Sequence, residues 1–456
     1  MRSLNIQKLI LQDYRCFERL EIDFHERLTV LIAVNGAGKT SILDAIAVAF
    51  GPYIGAFDES VGRHFKPTDI RMSTVRATES NEIEFARNGA RLEATGRIPG
   101  SPEDTLLDKP SQWKRALSGP VKAKTTIREA KGLMTYGKEQ QAAVRSPNTI
   151  TVLPLVAYYG TGRLWQQKKL TSSKLPRTSR TIGYADCLDP ASSYKSLVSW
   201  FRYWSTNTLK AQVDAIKTGS AYVPTEFDGY IQSVAGAVNT CLEPSGWNSI
   251  EYSVAREELM ATHPLYGKLP VELLSDGIRN MIGMVADIAF RATKLNPHLG
   301  GDAARKTPGI VLVDEVDMHL HPEWQQLVLG GLSTAFPEIQ LIVTTHSPQV
   351  LSTVKRENIR VVATSPDREI VAMPPLAMTY GEPSGDVLQS VMMVDPQPPV
   401  HEKADLQQLT ELVDQGEFAS DLATRLMQRL SNALGEQHPQ LQRLRRSISR
   451  QLAVRS

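Results

Sequence analysis

The stretch "LTVLIAVNGAGKTSILDAIAVAF", Leu28 to Phe50, constrains the fold of this 456-residue chain more than any other. A short apolar run runs into a glycine-containing turn. A helical pattern follows, with Ile42, Leu43, Ile46 and Phe50 on one face. A buried strand feeding a helix this tightly predicts an α/β architecture. The turn nearly matches G-x-x-x-x-G-K-[ST], a loop whose backbone N–H groups and helix N-terminus hold an anion. Gly36 and Gly38 stand where the chain needs φ > 0 or a close approach to oxygen. Lys39 is placed to reach the outer phosphates and Thr40 to hold a divalent cation. The loop and its first turn, Asn35, Gly36, Ala37, Gly38, Lys39, Thr40 and Ser41, form the expected binding set. Ala33 replaces the first glycine, a harmless change if its φ is negative.

Three further stretches fit the same chemistry. In "GIVLVDEVDMHLHPEWQ" an apolar strand delivers Asp314 and Glu315 to its carboxyl end, where α/β sheets bind ligands. Asp314 suits the surroundings of Mg²⁺ alongside Thr40, and Glu315 suits a base that orients an attacking water. "LIVTTHSPQVL" places His346 just after another buried strand. "LLSDGIRNMIGMVADIAF" lies 35 to 40 residues before Asp314. The continuous apolar runs around Asp314 and His346 read as parallel strands covered on both faces.

"LSDGIRN" resembles the LSGGQ signature of ABC-type ATPases, and the four elements occur in that family's order. The opening "LQDYRCFERLEIDF" resembles the first strands of the RecF-, SMC- and OLD-like branch. "LPLVAYYGTGRLW", "RTIGYADCLDPASSYKSLVSWF", "DMHLHPEWQ" and "TYGEPSGDVLQSVM" together resemble the PtuA family of bacterial Septu anti-phage defence and its retron-associated relatives. The resemblance implies a P-loop NTPase of ABC-ATPase head type: a mixed sheet flanked by helices, with a helical lobe or insertion and a C-terminal helical extension. The implied divisions are 1–160 with the phosphate loop, 161–270 helical insertion, 271–392 second ATPase lobe and 400–456 C-terminal helices. It implies ATP and Mg²⁺ as ligands, Glu315 and His346 as catalytic residues, and Asp317 in the D-loop. Ser275 and Gly277 would act in trans on the nucleotide of a second protomer, in an ATP-sandwich dimer or higher assembly. A partner HNH nuclease of PtuB type is implied, and in the retron form a reverse transcriptase with its retron DNA. Asp276 departs from the signature and adds negative charge, which implies slow turnover. The family's Q-loop glutamine has no counterpart in "YYGTGR", where Arg163 stands near its place.

Charge is uneven on a chain of net charge +2. Lys109 to Arg180 holds fifteen Lys or Arg against two acids, and the last twenty residues hold five arginines and no acid. Such blocks point to an acidic partner, DNA first, with Lys114, Arg115, Lys122, Lys124, Lys168 and Lys169 as contacts. Residues 80–98 read as a hairpin, 100–148 as polar, basic and low in periodicity, and 192–280 as mostly helical with Trp200, Trp204, Ile216 and Ile231 inside. Phe418, Leu422, Leu426 and Leu430, then Leu441, Leu444, Ile448 and Leu452, predict two closing helices. Three scattered cysteines, no apolar run of spanning length and no leader pattern point to the cytoplasm without a membrane anchor. His319, His321 and His346 fit the family's loops better than a separate metal site, and the tail lacks the D-x-D pair of a TOPRIM nuclease. Two alternatives stay open: a RecF-like DNA-repair clamp, and a scaffold that binds ATP without turnover.

Overall fold

The computed structural model describes residues 3–77, 80–101, 103–104, 109–121, 123–146, 150–164, 179–190 and 194–455. The chain divides into two compact units, Met1–Val387 and Leu388–Ser456.

In the first unit, β1 (Lys8–Tyr14) and β2 (Phe17–Asp23) form an antiparallel hairpin whose alternating side chains bury one face. Then come β3 (Leu28–Ile32) and helix α1 (Lys39–Ile54). Strands β4 (Met72–Ala77) and β5 (Ser80–Phe85) pair only with each other. Strands β6 (Ala90–Gly96) and β7 (Ser111–Leu117) extend the first hairpin into a sheet of order β2-β1-β6-β7. Residues 80–98 are therefore not a hairpin: β5 and β6 belong to different sheets, because β6 finds its partner in β1. The stretch 100–148, low in periodicity, holds β7 and helix α2 (Lys131–Arg145).

After β8 (Leu155–Tyr159) come α3 (Tyr194–Thr218) and α4 (Glu226–Leu242). Trp200 and Trp204 are buried there as expected, but Ile216 is 79% exposed and Ile231 only half-buried. The helical reading of this region also missed a small antiparallel sheet of β9 (Asn248–Ser253), β10 (Glu258–His263) and β11 (Gly267–Pro270). Its strands are short and polar on one side, so they lack the long apolar runs that mark a buried strand. Helix α5 (Asp276–Leu295) leads to β12 (Gly309–Val313), α6 (Val328–Ala335), β13 (Ile339–Thr344), β14 (Ile359–Thr364) and β15 (Ile370–Met373).

The central sheet has the order β15-β14-β3-β13-β12-β8 and is parallel except for β15. Every residue of β8, β12 and β13 is buried, as a sheet covered on both faces requires. Val313 lies level with both Val343 and Tyr159, and Thr344 with Leu31. The loops after β3, β8, β12 and β13 consequently open at one edge. Gln340, buried within β13, donates to the carbonyls of Ile6 and His25 and accepts from the Ile6 N–H. That side chain ties the N-terminal strand region to the central sheet. This is an α/β fold, with helices outside a mixed sheet.

The second unit holds α7 (Lys403–Asp414), α8 (Asp421–Leu434) and α9 (Pro439–Arg455) around its own core of Leu406, Leu409, Val413, Leu426, Leu430 and Leu441. Ser420 caps α8 and Gly435, at φ 85°, ends it. The four-residue spacing overstated the buried face: Leu422 on α8 and Leu452 on α9 are 44% and 53% exposed, and α8 buries Ala423 in place of Leu422. Among the described residues, no helix is long and apolar enough to cross a membrane.

One basic residue is misplaced by the sequence reading. Arg115 is 1% exposed and donates to the carbonyls of Val48, Arg63 and Thr126, so it is an internal brace and cannot meet DNA phosphate. Lys114 pairs with Glu93 at 2.7 Å, Lys124 is exposed, and Lys122, Lys168 and Lys169 lie outside the described residues.

Leu430 is fully buried and Leu422 is not. Leu430→Ala is expected to lower the unfolding free energy by about 3 kcal/mol. Leu422→Ala should stay within about 0.5 kcal/mol of the parent in the same urea titration.

Candidate active site

The phosphate loop is shaped by two glycines in the left-handed region, Gly36 at φ 80° and Gly38 at φ 95°. A side chain on Gly38 would also sit 2.4 Å from Phe17 Cζ and 2.6 Å from Cys16 Sγ, so the β1–β2 turn packs on the loop and excludes any larger residue. Ala33 is not among the positive-φ residues, so it occupies the first position without strain. Its carbonyl accepts a 3.0 Å bond from Lys39 Nζ. Burial lowers the Lys39 ammonium below its ordinary range, and the carboxylates of Asp314, Glu315 and Asp317 oppose that shift. The lysine is thus held at the loop, close to all three acids of the β12 edge. Asn35 and Gly36 are exposed, and Ala37 closes the turn through its N–H to the Val34 carbonyl at 3.3 Å.

Asp314 is the joint of the site. It is 2% exposed and its N–H donates to the Tyr159 carbonyl at 2.8 Å. Thr40 Oγ1 donates to one carboxylate oxygen at 2.7 Å and Thr344 Oγ1 to the other at 2.6 Å. The Thr344 hydroxyl also accepts from the Glu315 N–H at 2.8 Å. One threonine therefore orients both acids. Glu315 takes φ 48°, a left-handed value rare for a residue with a side chain, and His319 takes φ 63°. Thr345 Oγ1 donates to Asp317 at 2.6 Å, which pins the D-loop to the strand that precedes His346. His346 follows β13 at the same edge and is half-buried.

Helix α1 leans on charge from outside it. Asp44 bridges Arg15, at 2.7 Å, and Arg63, at 2.5 Å. Arg15 also binds Asp69 at 2.8 Å and lies 3.5 Å from Ser41 Oγ. Arg63 covers the Tyr158 ring at 5.4 Å. Arg15, Asp44, Arg63 and Tyr158 line a cavity of about 260 Å³ that Thr40, Asp314, Gly160 and Thr161 help to complete. Hard oxygens from Thr40 and Asp314, side by side at its wall, suit Mg²⁺. The glycine-shaped helix start suits phosphate. The side chain of Arg163, the residue near the missing Q-loop glutamine, lies outside the described residues; Thr161 stands at the cavity instead.

Ser275 is exposed at the N-terminus of α5, and Gly277 is buried beneath it. A side chain on Gly277 would lie 2.4 Å from the His319 carbonyl oxygen, so the glycine is required by packing against the turn after β12. Asn280 Nδ2 reaches the Met318 carbonyl of the same turn at 3.4 Å. Asp276 forms an ion pair with Arg279 and lies in the first turn of its own helix, which offsets the extra negative charge it brings to the signature.

Comparison with known proteins points to ATPases. Residues 8–221 match the family model "AAA domain", and residues 261–352 match "AAA domain, putative AbiEii toxin, Type IV TA system". The Retron Vc95 probable ATPase of Vibrio cholerae serotype O1 biovar El Tor is 24% identical over 88% of this chain and 81% of its own length. The Retron Ec83 probable ATPase of Escherichia coli is 26% identical over 99% of this chain and 88% of its own. The Septu protein PtuA of Bacillus mycoides (strain KBAB4) is 39% identical over 104 residues, 23% of this chain and 14% of that protein. The chain resembles these ATPases.

Several residues of this candidate site escaped sequence reasoning. Thr344 and Thr345 lie inside the quoted "IVTTHS", and consecutive hydroxyls at the end of a buried strand were the available signal. Asp44 in the apolar helix pattern was another, since a buried acid needs partners. Arg15 and Arg63 are distant in sequence and carried no such signal.

Lys39 is held by burial and three acids, and Lys39→Ala is expected to abolish nucleotide binding in a labelled-ATP filter assay. Ala33→Gly should bind as the parent does, since glycine adopts any φ that alanine has. Thr344→Val removes the hydroxyl that orients both acids at nearly constant shape. It is expected to lower ATP turnover at least about tenfold, from the loss of a charge-assisted hydrogen bond, with nucleotide affinity nearly unchanged.

Proposed function

We propose that this chain is the ATP-binding and ATP-hydrolysing subunit of a bacterial anti-phage defence complex, and that it scaffolds and regulates a partner HNH DNA nuclease. The observation that carries the ATPase part is the Thr40–Asp314–Thr344–Glu315 chain of hydrogen bonds beside a glycine-shaped phosphate loop. The likeness to retron ATPases and to PtuA supports the defence setting.

In this reading Asn35 to Ser41 bind the triphosphate, and Lys39 leaves the Ala33 carbonyl to neutralise its outer phosphates. Thr40 and Asp314 hold Mg²⁺, which offsets charge on the phosphate oxygens when bound. Glu315, fixed through its backbone by Thr344, orients the attacking water, and His346 faces the terminal phosphate. Ser275 is exposed at a helix N-terminus and can offer donors to the nucleotide of a second protomer. Asp317, held by Thr345, lies on the turn that packs under Gly277, so the two halves of a sandwich site are mechanically joined within each chain. ATP then acts as a bond between subunits, and its hydrolysis as release. DNA, bound through exposed lysines such as Lys124, and in the retron form a reverse transcriptase with its DNA, complete the assembly.

The test is co-purification with the product of the neighbouring gene, followed by DNA cleavage with and without ATP. An HNH protein that co-elutes and cleaves DNA in a nucleotide-dependent way is the expected result. Glu315→Gln should bind ATP, fail to turn it over and accumulate as a dimer on a sizing column. A chain that purifies alone and hydrolyses ATP only when DNA is added would instead support a RecF-like clamp. Equal turnover in Glu315→Gln and parent would remove Glu315 as the base.

A further inference from the structure

The start of α5 carries a charge pair that the signature pattern does not call for. Asp276 is the first residue of the helix and Arg279 the fourth. An arginine so near a helix N-terminus sits against the helix dipole, which favours anions there. The Arg279 side chain leans back over the first turn, as helical side chains do. One terminal nitrogen donates to Asp276 Oδ1, and the other donates to the Glu272 carbonyl at 3.3 Å. The guanidinium therefore lies between residues 272 and 276, beside the exposed Ser275.

Those contacts hold the arginine weakly. Its side chain is 38% exposed and that of Asp276 46%. An exposed i,i+3 pair adds little to the stability of a fold. The carbonyl contact is long, and the Arg279 Nε–H has no acceptor among the described residues. A guanidinium carries five N–H donors, so this pose spends only part of its capacity on protein acceptors. The inward face of the same helix is fixed by Gly277 against the His319 carbonyl and by Asn280 on the Met318 carbonyl. Arg279 can therefore swing while the helix stays in place.

Charge decides what this arginine meets. In the sandwich dimer proposed above, the surface around Ser275 faces the triphosphate on the phosphate loop of a second protomer. Asp276 alone would repel that ligand. Arg279 offsets the carboxylate at the place where it is exposed, and its planar fork suits phosphate oxygens better than a point charge does. An exposed aliphatic side chain stands at each of the two surfaces: Leu273 beside the signature is 72% exposed, and Val34 in the phosphate loop 73%. Both would leave water when the surfaces meet.

We propose that Arg279 leaves Asp276 as the dimer closes and binds phosphate oxygens of the nucleotide held by the second protomer. The Asp276–Arg279 pair is the resting form of that contact. Asp276 and the nucleotide compete for one guanidinium, so Asp276 restrains closure. The inference rests on the sandwich dimer proposed above and adds to it a phosphate-binding residue one helical turn beyond Ser275.

The experiment uses the full chain with Glu315→Gln, so that ATP is held, and reads ATP-dependent dimerisation by analytical ultracentrifugation. Adding Arg279→Ala should weaken the dimer at least about tenfold, from the loss of a charged hydrogen bond. Adding Asp276→Asn instead, nearly the same shape without charge, should tighten it. The combined Asp276→Asn and Arg279→Ala change separates a phosphate contact from simple neutralisation of Asp276. It should still dimerise at least about tenfold more weakly than Asp276→Asn alone. At dilutions where the chain is monomeric, Arg279→Ala should bind labelled ATP as its parent does, because the arginine serves the other protomer's nucleotide. Should Arg279→Ala fail to fold by circular dichroism, Arg279→Gln carries the same test. Dimerisation of the combined variant equal to that of Asp276→Asn would overturn the proposal. So would an unchanged dimer in Arg279→Ala, a weaker dimer in Asp276→Asn, or lowered ATP affinity in a folded Arg279→Ala monomer. If Glu315→Gln alone stays monomeric with ATP, the sandwich itself fails and this inference falls with it.

Discussion

The buried carboxylate of Asp314 is the constraint on which the site depends. A charge at 2% exposure is costly unless its lone pairs are met, and here two threonines from different elements meet them. Thr40 comes from the start of α1 and Thr344 from the end of β13. Those two elements reach Asp314 only because β3, β12 and β13 are parallel and end level. The same Thr344 hydroxyl takes the Glu315 N–H and helps hold that residue at its unusual φ of 48°. A strained backbone persists where the surroundings over-determine it, and here they do so beside the phosphate loop.

Two contacts extend that rigidity outward. Asp44 joins α1 to Arg15 of the β1–β2 turn and to Arg63 of the segment after α1, so the phosphate-binding helix is held by charge on the side facing the cavity. On the other side of Asp314, the turn after β12 supports Gly277 and Asn280 of the signature helix. A displacement of Asp317 or His319 must therefore be felt at Ser275. That mechanical link joins the edge that carries Asp314 to the exposed start of α5.

Much of this was legible beforehand, for definite reasons. The phosphate loop, the Asp314–Glu315 pair and the strand before His346 are local patterns, and each needs only a few consecutive residues. The expected harmlessness of Ala33 rested on a sterically simple criterion, and its φ satisfies it. The errors came where partners decide. Arg115 looked like one more cation in a basic block, but β7 turns it inward onto three carbonyls. Strand β6 looked like the second half of a hairpin, but it lies between β1 and β7 in another sheet. Leu422 kept the right spacing on α8 and still faces outward, because the three-helix core is narrower than a four-residue stripe suggests.

The sequence by itself determined the chemistry that local order can encode: an α/β chain, a phosphate loop with glycines at its two left-handed positions, and acids at the end of an apolar strand. Each depends on hydrophobic period or on the conformational freedom of single residues, and both are written in consecutive positions. Only the tertiary structure decided which strands are neighbours and which cations are buried. It alone showed that Thr344 serves two acids and that Arg15 and Arg63 share Asp44. Those outcomes depend on pairings between residues up to hundreds of positions apart, selected by the burial of whole faces and by the cost of leaving a buried charge alone.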